Sequence, residues 1–248
     1  MRPVRLNDLV VGESPVFVAT ALAETVDGML DGVRRALTAG ADCVELRIDR
    51  LPSGDAVADL VRRVEGPHIV ACRTPQFGGF FEGSEADRID RLQAAVDAGA
   101  SCVDVEYFAE TAARDRLIDA AHTNRTPILV GYENMQETPS SETLLDGIRA
   151  VAALEPDLVK LAVRAASYED LVAVLGVVLS MRATLDVPFA AIALGPHGAP
   201  SRPLALALGA SFTYCALEAG AVPGQLTVAE ARNALETMSE QRWSCSSN

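Results

Sequence analysis

The stretch AGADCVELRI, residues 39–48, gives the clearest indication of how this chain folds. A helical segment ends at a glycine turn, and a short apolar run that is typical of a buried strand follows at once. The same arrangement returns as AGASC at residues 98–102 and as LGAS at residues 208–211. The repetition predicts a chain that is built from helix–turn–strand units.

Eight short runs have the composition of buried strands, and they begin roughly 23 to 34 residues apart, which is the length of one strand plus one helix. They occupy residues 16–19, 43–48, 68–72, 102–106, 127–130, 158–163, 188–194 and 211–215. Helical periodicity is clear in two of the intervening stretches, 87–98 and 141–154. The pattern predicts the α/β class.

Eight such units predict a (β/α)₈ TIM barrel, a single domain over residues 1–248. We expect a short N-terminal extension at about residues 1–15 and a polar C-terminal tail at about residues 239–248. An open doubly wound sheet is the alternative fold. A glycine-rich phosphate loop after the first strand would favour it, and TALAE at residues 20–24 is not such a loop.

Composition argues against several classes of function. The net charge of −13 argues against binding to nucleic acid or to anionic membrane surfaces. The first residues lack the apolar stretch of a signal peptide, and no apolar run is as long as a membrane span. Of five widely spaced cysteines, four fall at predicted strands, so we interpret these four as small buried hydrophobic residues in a reducing cytoplasm. They are Cys43, Cys72, Cys102 and Cys215.

The chain contains a single lysine, Lys160, whereas its 20 other basic residues are arginines. Lys160 lies within DLVKLAV, residues 157–163, which has the composition of a buried strand. Burying an ammonium costs free energy, but a buried lysine can lose its proton and attack a carbonyl, and a guanidinium cannot. We therefore predict a Schiff-base lysine. The alternative is a lysine at a strand end whose ammonium reaches solvent.

Further polar residues fall at the C-terminal ends of the predicted strands. They are Glu45, Arg47, Arg73, Glu106, Glu133, Arg202 and Gln225. In a barrel these ends converge on one mouth, whereas in an open sheet they would be spread along an edge. Lys160 could form an imine there while Arg202 holds a carboxylate through a bidentate fork. The implied ligand is a ketone that also carries a carboxylate and several hydroxyls.

In their order and spacing, several short motifs together resemble the type I 3-dehydroquinate dehydratase family of the shikimate pathway. They are VELRID at 44–49, CRT at 72–74 with Gly78 and Gly79, VDVE at 103–106, TP at 138–139, VKLA at 159–162, SR at 201–202 and PGQ at 223–225. The resemblance runs from about the first strand to the last helix. It implies a lyase that converts 3-dehydroquinate to 3-dehydroshikimate through an imine.

The resemblance also implies roles for individual residues. Lys160 matches the Schiff-base lysine, and Arg202 matches the group that holds the substrate carboxylate. The substrate-binding positions match Glu45, Arg47, Arg73 and Gln225. The family needs no cofactor and no metal, and it is commonly dimeric. We therefore expect a cytoplasmic homodimer whose partner is a small cyclic keto acid.

The sequence departs from the family at its acid–base residues. The family places a catalytic histidine after the fifth strand, where this chain has Glu133 within GYENM, residues 131–135. The family's glutamate before the Gly-Gly pair, which orients that histidine, is replaced by Phe77. A serine that is common in the family's eighth-strand loop corresponds to Ala221.

The paired loss suggests a coordinated change in which Glu133 becomes the base. A glutamate beside Phe77 is expected to be desolvated, which raises its pKa, while an iminium at Lys160 acts in the opposite direction. Glu133 could instead form a structural ion pair with Arg73 or Arg47. His197, in a Gly/Pro loop, could supply the missing imidazole, or it could be a solvated loop residue.

Two other functions stay open. The protein could be a paralogue that uses the same imine for different chemistry on a related cyclic keto acid in a secondary pathway. It could also be a binding protein that kept the pocket without catalysis. Retention of the only lysine argues against the binding protein, and loss of the histidine–glutamate pair argues against the standard enzyme.

Overall fold

The computed structural model describes residues 1–218 and 224–240. The strands in this part of the chain are β1 Val4–Leu6, β2 Leu9–Val11, β3 Val16–Leu22, β4 Cys43–Arg47, β5 His68–Ala71, β6 Val103–Glu106, β7 Ile128–Asn134, β8 Leu158–Arg164, β9 Phe189–Leu194 and β10 Phe212–Cys215. The helices are α1 Val26–Thr38, α2 Gly54–Arg63, α3 Glu85–Asp97, α4 Thr111–Asn124, α5 Ser141–Ala152, α6 Tyr168–Thr184, α7 Ser201–Leu208 and α8 Val228–Glu240. Short 3₁₀ turns occupy Ile48–Arg50, Pro75–Phe77 and Pro196–Gly198.

Eight of the strands form one parallel sheet in the order β10-β3-β4-β5-β6-β7-β8-β9. The two ends of this order meet, because the Ser211 amide just before β10 donates a hydrogen bond to the Phe189 carbonyl on β9 at 2.8 Å. The strands thus close into the predicted (β/α)₈ barrel, and the open sheet is excluded.

The predicted strand positions are confirmed, but some ends are not. β7 continues to Asn134, so Glu133 lies inside the strand and does not follow it. The apolar run ends at Val130, so the strand predicted from it ended too early. Cross-strand pairing extends the strand, because Tyr132 and Asn134 pair with residues of β8.

The N-terminal extension forms a hairpin that covers the N-terminal end of the barrel. β1 and β2 are antiparallel, and their buried side chains join an apolar cluster inside the barrel. The barrel residues of this cluster that lie near the strand starts are Val16, Cys43, Ile69, Cys102, Leu129, Leu158 and Phe212. We call this layer the apolar floor. Burying each large apolar side chain stabilises the fold by about 1.5–3 kcal/mol. Because the apolar floor fills the N-terminal end of the barrel, the polar side chains inside the barrel lie towards its C-terminal end.

Glycine turns and serine caps set the helix boundaries. Gly40, Gly99 and Gly209 follow α1, α3 and α7 with φ angles of +87°, +89° and +112°, which residues other than glycine rarely adopt. These glycines belong to the repeated phrase of the sequence, which is confirmed. At the N-terminal end of α6, Ser167 and Asp170 form a capping box, an arrangement that stabilises a helix by about 1 kcal/mol.

The predicted tail is only partly described. α8 reaches Glu240, while residues 241–248 and Ala221 lie outside the described residues. The four cysteines at the predicted strands are buried and free of disulfide bonds, as expected. Within the described ranges, none of the helices has the length and apolar character needed to cross a membrane.

Candidate active site

Lys160 points into the barrel from β8 and is only 5% exposed, so its ammonium does not reach solvent. Two carboxylates contact its nitrogen. Nζ lies 2.6 Å from Asp104 Oδ2 on β6 and 2.8 Å from Glu133 Oε1 on β7. The prediction of a buried lysine at the polar end of the barrel is therefore confirmed.

A glycine makes room for this arrangement. Gly131 on β7 is the cross-strand partner of Lys160 and also faces the barrel interior. A Cβ atom at Gly131 would lie 2.9 Å from Glu133 Oε1 and 3.1 Å from Lys160 Cε. Both distances are tighter than ordinary contacts between carbon and heavy atoms. The small residue at 131 lets the lysine and the glutamate share the space.

Arg73, which is buried just after β5, joins the two carboxylates. Its guanidinium forms ion pairs with Asp104 and Glu106, and it lies 3.1 Å from Glu133 Oε1. The Gly-Gly motif places this arginine, because the adjacent backbone at Gly79 approaches Arg73 so closely that a Cβ would not fit. The ion pair between Glu133 and Arg73 that we considered as an alternative is present, together with the contact to Lys160.

The network continues outward from the barrel interior. Arg88 on α3 is 2% exposed, and it donates to Glu106 Oε2 at 2.7 Å and to the Cys72 carbonyl at 2.9 Å. Glu85, one helical turn earlier, accepts two hydrogen bonds from the same guanidinium. Buried charges require such partners, and this chain of ion pairs fixes the positions of Arg73 and Glu106.

The lysine is held in its charged form. Burial and Arg73 lower the pKa of Lys160, but Asp104 and Glu133 outweigh them, so its pKa lies above the ordinary value of a lysine. Burial alone therefore does not remove the proton from Lys160 in the protein without a ligand. The cause is the pair of carboxylates, one of which must take a proton before the nitrogen can attack a carbonyl.

The charge of Glu133 also differs from expectation. Burial raises its pKa, but Arg73 and Lys160 outweigh burial and hold the pKa below the ordinary value of a glutamate. The expected rise in pKa is therefore wrong in this state. Phe77 is only half-buried at the end of its 3₁₀ turn, and the charged partners of Glu133 decide its ionisation. Glu133 is a carboxylate that can accept a proton.

Asp104, which is fully buried on β6, was not among the predicted site residues. Burial is the largest influence on this carboxyl and raises its pKa, despite the opposing effect of Arg73 and Lys160. Asp104 precedes Glu106 by two residues, so the alternation of side chains along a strand puts both on the inner face. That alternation, applied to the VDVE motif, could have identified Asp104.

Arg202 lies in the first turn of α7, after β9, and is 3% exposed. Its guanidinium donates to the Tyr214 carbonyl at 3.1 Å and to the Gly224 carbonyl at 2.7 Å. No carboxylate pairs with it among the described residues, and burial lowers its pKa to about 10. The Tyr214 ring centre lies 5.3 Å from Lys160 Nζ, so the arginine and the lysine flank the same tyrosine.

Three other predicted site residues lie around this centre. Glu45 accepts a hydrogen bond from Thr20 Oγ1 at 2.9 Å. Arg47 does not depend on Glu45, because Asp49 binds it through two hydrogen bonds of 2.9 and 2.8 Å. Gln225 is half-buried and follows Gly224, whose carbonyl contacts Arg202.

His197 lies in the Pro196–Gly198 turn after β9. Its ring packs edge-to-face against Tyr168 at the start of α6, with 5.1 Å between the ring centres. Among the described residues, the contacts of Lys160 are with Asp104, Glu133 and Tyr214, and none is with His197. A catalytic role for this histidine stays a prediction.

Together, these residues provide an amine, two carboxylates in contact with it and a buried arginine that has no acidic partner within the part of the chain that the structure describes. An amine that can lose a proton to a neighbouring carboxylate can attack a ketone, and Arg202 can bind an acid on the same molecule. The apolar floor closes the opposite end of the barrel. The arrangement suits imine chemistry on a small keto acid that enters through the mouth.

The chain is similar to known proteins over nearly its whole length. A family model described as type I 3-dehydroquinase matches residues 17–242. The 3-dehydroquinate dehydratase of Methanosarcina acetivorans is 30% identical over 230 residues, which cover 89% of this chain and 95% of the relative. That of Methanothermobacter thermautotrophicus is 33% identical over 216 residues, which cover 86% of this chain and 90% of the relative.

A solved structure shares the fold. Type I 3-dehydroquinate dehydratase of Clostridium difficile, crystallised with covalently modified comenic acid, superposes with a TM-score of 0.90 at 20% identity. The match covers 96% of this chain and 98% of that one. The extent of the family match and the identity to curated relatives establish that this chain belongs to the type I 3-dehydroquinase family.

Proposed function

We propose that the protein is a hydro-lyase that dehydrates 3-dehydroquinate, or a close cyclic keto acid, through an imine at Lys160. The observation that carries this proposal is the position of Lys160 Nζ, 2.6 Å from Asp104 and 2.8 Å from Glu133 inside a closed barrel. The curated relatives, which are named 3-dehydroquinate dehydratases, support the choice of substrate.

Substrate binding begins with the acid group. Arg202 carries a buried positive charge whose described partners are backbone carbonyls, so a substrate carboxylate would give it the anionic partner that it lacks. A carboxylate bound there would place the rest of a six-membered ring over Tyr214, towards Lys160 Nζ. The hydroxyls of the ring could be bound by Glu45, Arg47, Arg73 and Gln225.

The reaction then uses the imine as an electron sink. Nζ attacks the ketone, water leaves, and the resulting iminium acidifies the protons on the neighbouring carbon. Glu133 removes one of these protons, because its carboxylate already lies against Nζ and its lowered pKa keeps it ionised and able to accept a proton. Glu133 then gives this proton to the hydroxyl on the next carbon, which departs as water, and hydrolysis of the imine releases an unsaturated ketone.

One observation favours a second candidate. Glu133 stands where the family resemblance places a histidine and is held ionised before the reaction, so it brings no proton to imine formation as an imidazolium would. An enzyme limited in this way could use the same imine for different chemistry on a related cyclic keto acid. Neither Lys160 nor the two carboxylates beside it favour a binding protein without catalysis.

A direct assay separates these functions. Incubation with 3-dehydroquinate should produce the conjugated ketone, which absorbs in the ultraviolet, and Lys160→Met should abolish its formation. Imine formation without release of the conjugated product would favour the second candidate. Binding without imine formation would favour the binding protein.

The expected homodimer and cytoplasmic location are part of this proposal. They rest on the family resemblance and on the composition. Sedimentation equilibrium of the purified protein would test the dimer, and a mass of one chain at micromolar concentration would contradict it.

A further inference from the structure

The two carboxylates that contact Lys160 approach it from different ends of the barrel. β7 pairs Gly131 with Lys160 on one side and with Glu106 on the other. Glu133 lies two residues beyond Gly131, towards the mouth. Asp104 lies two residues before Glu106 and pairs with Leu129, which belongs to the apolar floor. Nζ therefore has Asp104 on its floor side and Glu133 on its mouth side.

This difference limits what each carboxylate can reach. A substrate that enters through the mouth meets Glu133 first, and the ring carbons next to its ketone would lie beside this residue. Asp104 lies beneath the nitrogen, 2.6 Å from Nζ, and can reach only the nitrogen and atoms that are bonded close to it. The two groups therefore suit different proton transfers.

We propose that Asp104 is a second catalytic residue, which exchanges protons with the lysine nitrogen and the departing oxygen while Glu133 acts on the substrate carbon. This inference rests on the proposed function and assigns the acid–base work of imine formation and hydrolysis. In the family, the resemblance gives the acid–base work to one histidine, and this chain divides it between two carboxylates.

Imine formation begins when the Lys160 ammonium passes one proton to the Asp104 carboxylate, which leaves a neutral amine and a carboxylic acid. The amine nitrogen forms a bond with the ketone carbon, and one of its protons moves to the former carbonyl oxygen. The resulting hydroxyl takes the proton of Asp104 and leaves as water, which forms the protonated imine and restores the carboxylate. Hydrolysis reverses these steps.

The surroundings of Asp104 suit a group that gains and loses a proton. Oδ2 contacts both Lys160 and Arg73, whereas Oδ1 has no hydrogen-bond partner among the described residues. The titratable and charged groups that face Asp104 come from six elements or their ends: Glu45 on β4, Arg73 after β5, Cys102 just before β6, Glu133 on β7, Lys160 on β8 and Tyr214 on β10.

The two carboxylates also differ in pKa, which supports the assignment. Burial raises the pKa of Asp104, whereas Arg73 and Lys160 hold the pKa of Glu133 low despite its burial. A raised pKa suits a group that must hold a proton for part of the cycle. A lowered pKa suits a group that must be ionised when the iminium has formed.

The test measures imine formation separately from dehydration. The product, 3-dehydroshikimate, can form the imine without proton removal from carbon, and borohydride then traps it on the protein. We expect Asp104→Asn to slow trapping by about 10²-fold or more. Glu133→Gln should abolish most turnover of 3-dehydroquinate, yet it should trap the product within about tenfold of the wild-type rate.

Glu106→Gln is the matched control. Glu106 is as buried as Asp104, lies on the same strand and also pairs with Arg73, but its described ion pairs are with Arg73 and Arg88. A trapping rate in Glu106→Gln as slow as in Asp104→Asn would show a structural effect and overturn the assignment. So would a normal trapping rate in Asp104→Asn. Failure of the wild type to trap any ligand would contradict the proposed function itself.

A second measurement applies if Asp104→Asn does not fold. In Glu133→Gln, Asp104 is the remaining carboxylate on Nζ, and it must be ionised to accept the lysine proton. The trapping rate of this variant should therefore fall as the pH falls through the raised pKa of Asp104. A trapping rate that is independent of pH on the acid side would overturn the assignment.

Discussion

Gly131 and Lys160 are cross-strand partners on β7 and β8, and the lysine side chain uses the space that a Cβ on Gly131 would need. The same missing atom leaves room for the carboxylate of Glu133, two residues along the strand. A glycine at 131 and a glutamate at 133 are therefore compatible with each other for a steric reason.

Gly131→Ala should displace Glu133 or Lys160, because its new methyl group would lie 2.9 Å from the glutamate oxygen. We expect a fall in kcat/KM of about 10²-fold, which is typical of a misplacement near 1 Å, and a loss of about 1–3 kcal/mol in the free energy of unfolding. Steady-state kinetics and urea unfolding would measure both.

Gly176→Ala is the control for this substitution. Gly176 lies in the interior of α6, and no atom lies within 4 Å of a Cβ built there. Its activity should be unchanged, and its stability should rise by up to about 1 kcal/mol. Normal activity in Gly131→Ala would show that the steric argument is wrong.

Glu133→Gln should lower kcat by about 10²- to 10⁴-fold, which is the usual contribution of a general base. The imine should still form, so the trapped adduct should be present while product formation is slow. Glu137→Gln, in an exposed position of the same segment, is the control and should retain full activity. Unchanged turnover in Glu133→Gln would make His197 the candidate base.

Arg202→Gln should weaken binding of the substrate carboxylate. Hydrogen bonds to charged groups contribute about 1.5–3 kcal/mol, which corresponds to a fall in kcat/KM of about 10- to 100-fold. A ligand that lacks the carboxylate should bind the wild type and the variant equally. Arg149→Gln, on the outer face of α5 with a side chain 71% exposed, should change neither kcat/KM nor the binding of either ligand. An equal effect on both ligands would contradict the carboxylate role of Arg202.

The pH dependence of kcat/KM tests the identity of the base. The pKa of Glu133 lies below the ordinary glutamate value of 4.5, so the base stays ionised as the pH falls from 8 to 6. Glu133 should therefore contribute no acid limb to kcat/KM in this range. An acid limb near pH 6.5, the ordinary histidine value, that disappears in His197→Asn would identify an imidazole base. An acid limb that persists in His197→Asn would belong to Asp104, whose pKa is raised.

The fold was predictable because it depends on local signals. Eight apolar runs at regular spacing and three glycine turns are sufficient to indicate the barrel. The end of β7 was not predictable, since pairing with β8 extends it through polar residues. Lys160 was predictable because one lysine among arginines inside an apolar run is unusual at the level of sequence alone.

The charge states of the site were not predictable from local sequence. The lysine keeps its proton because Asp104, 56 residues earlier in the chain, and Glu133 both reach its nitrogen. Glu133 keeps its charge because of Arg73, which is also far away in sequence. Such pairings depend on the three-dimensional arrangement of strands. The alternation within the VDVE motif was the one available signal for Asp104.

The central claim is that Lys160 forms an imine with the substrate, and one measurement tests it directly. The intact protein is incubated with 3-dehydroquinate and borohydride, and its mass is determined before and after digestion. Because the chain has a single lysine, Lys160 and the N-terminus are its only candidate amines. We predict one covalent adduct on the peptide that contains Lys160, and none in Lys160→Met. Turnover without an adduct on Lys160, or an adduct that persists in Lys160→Met, would contradict the claim.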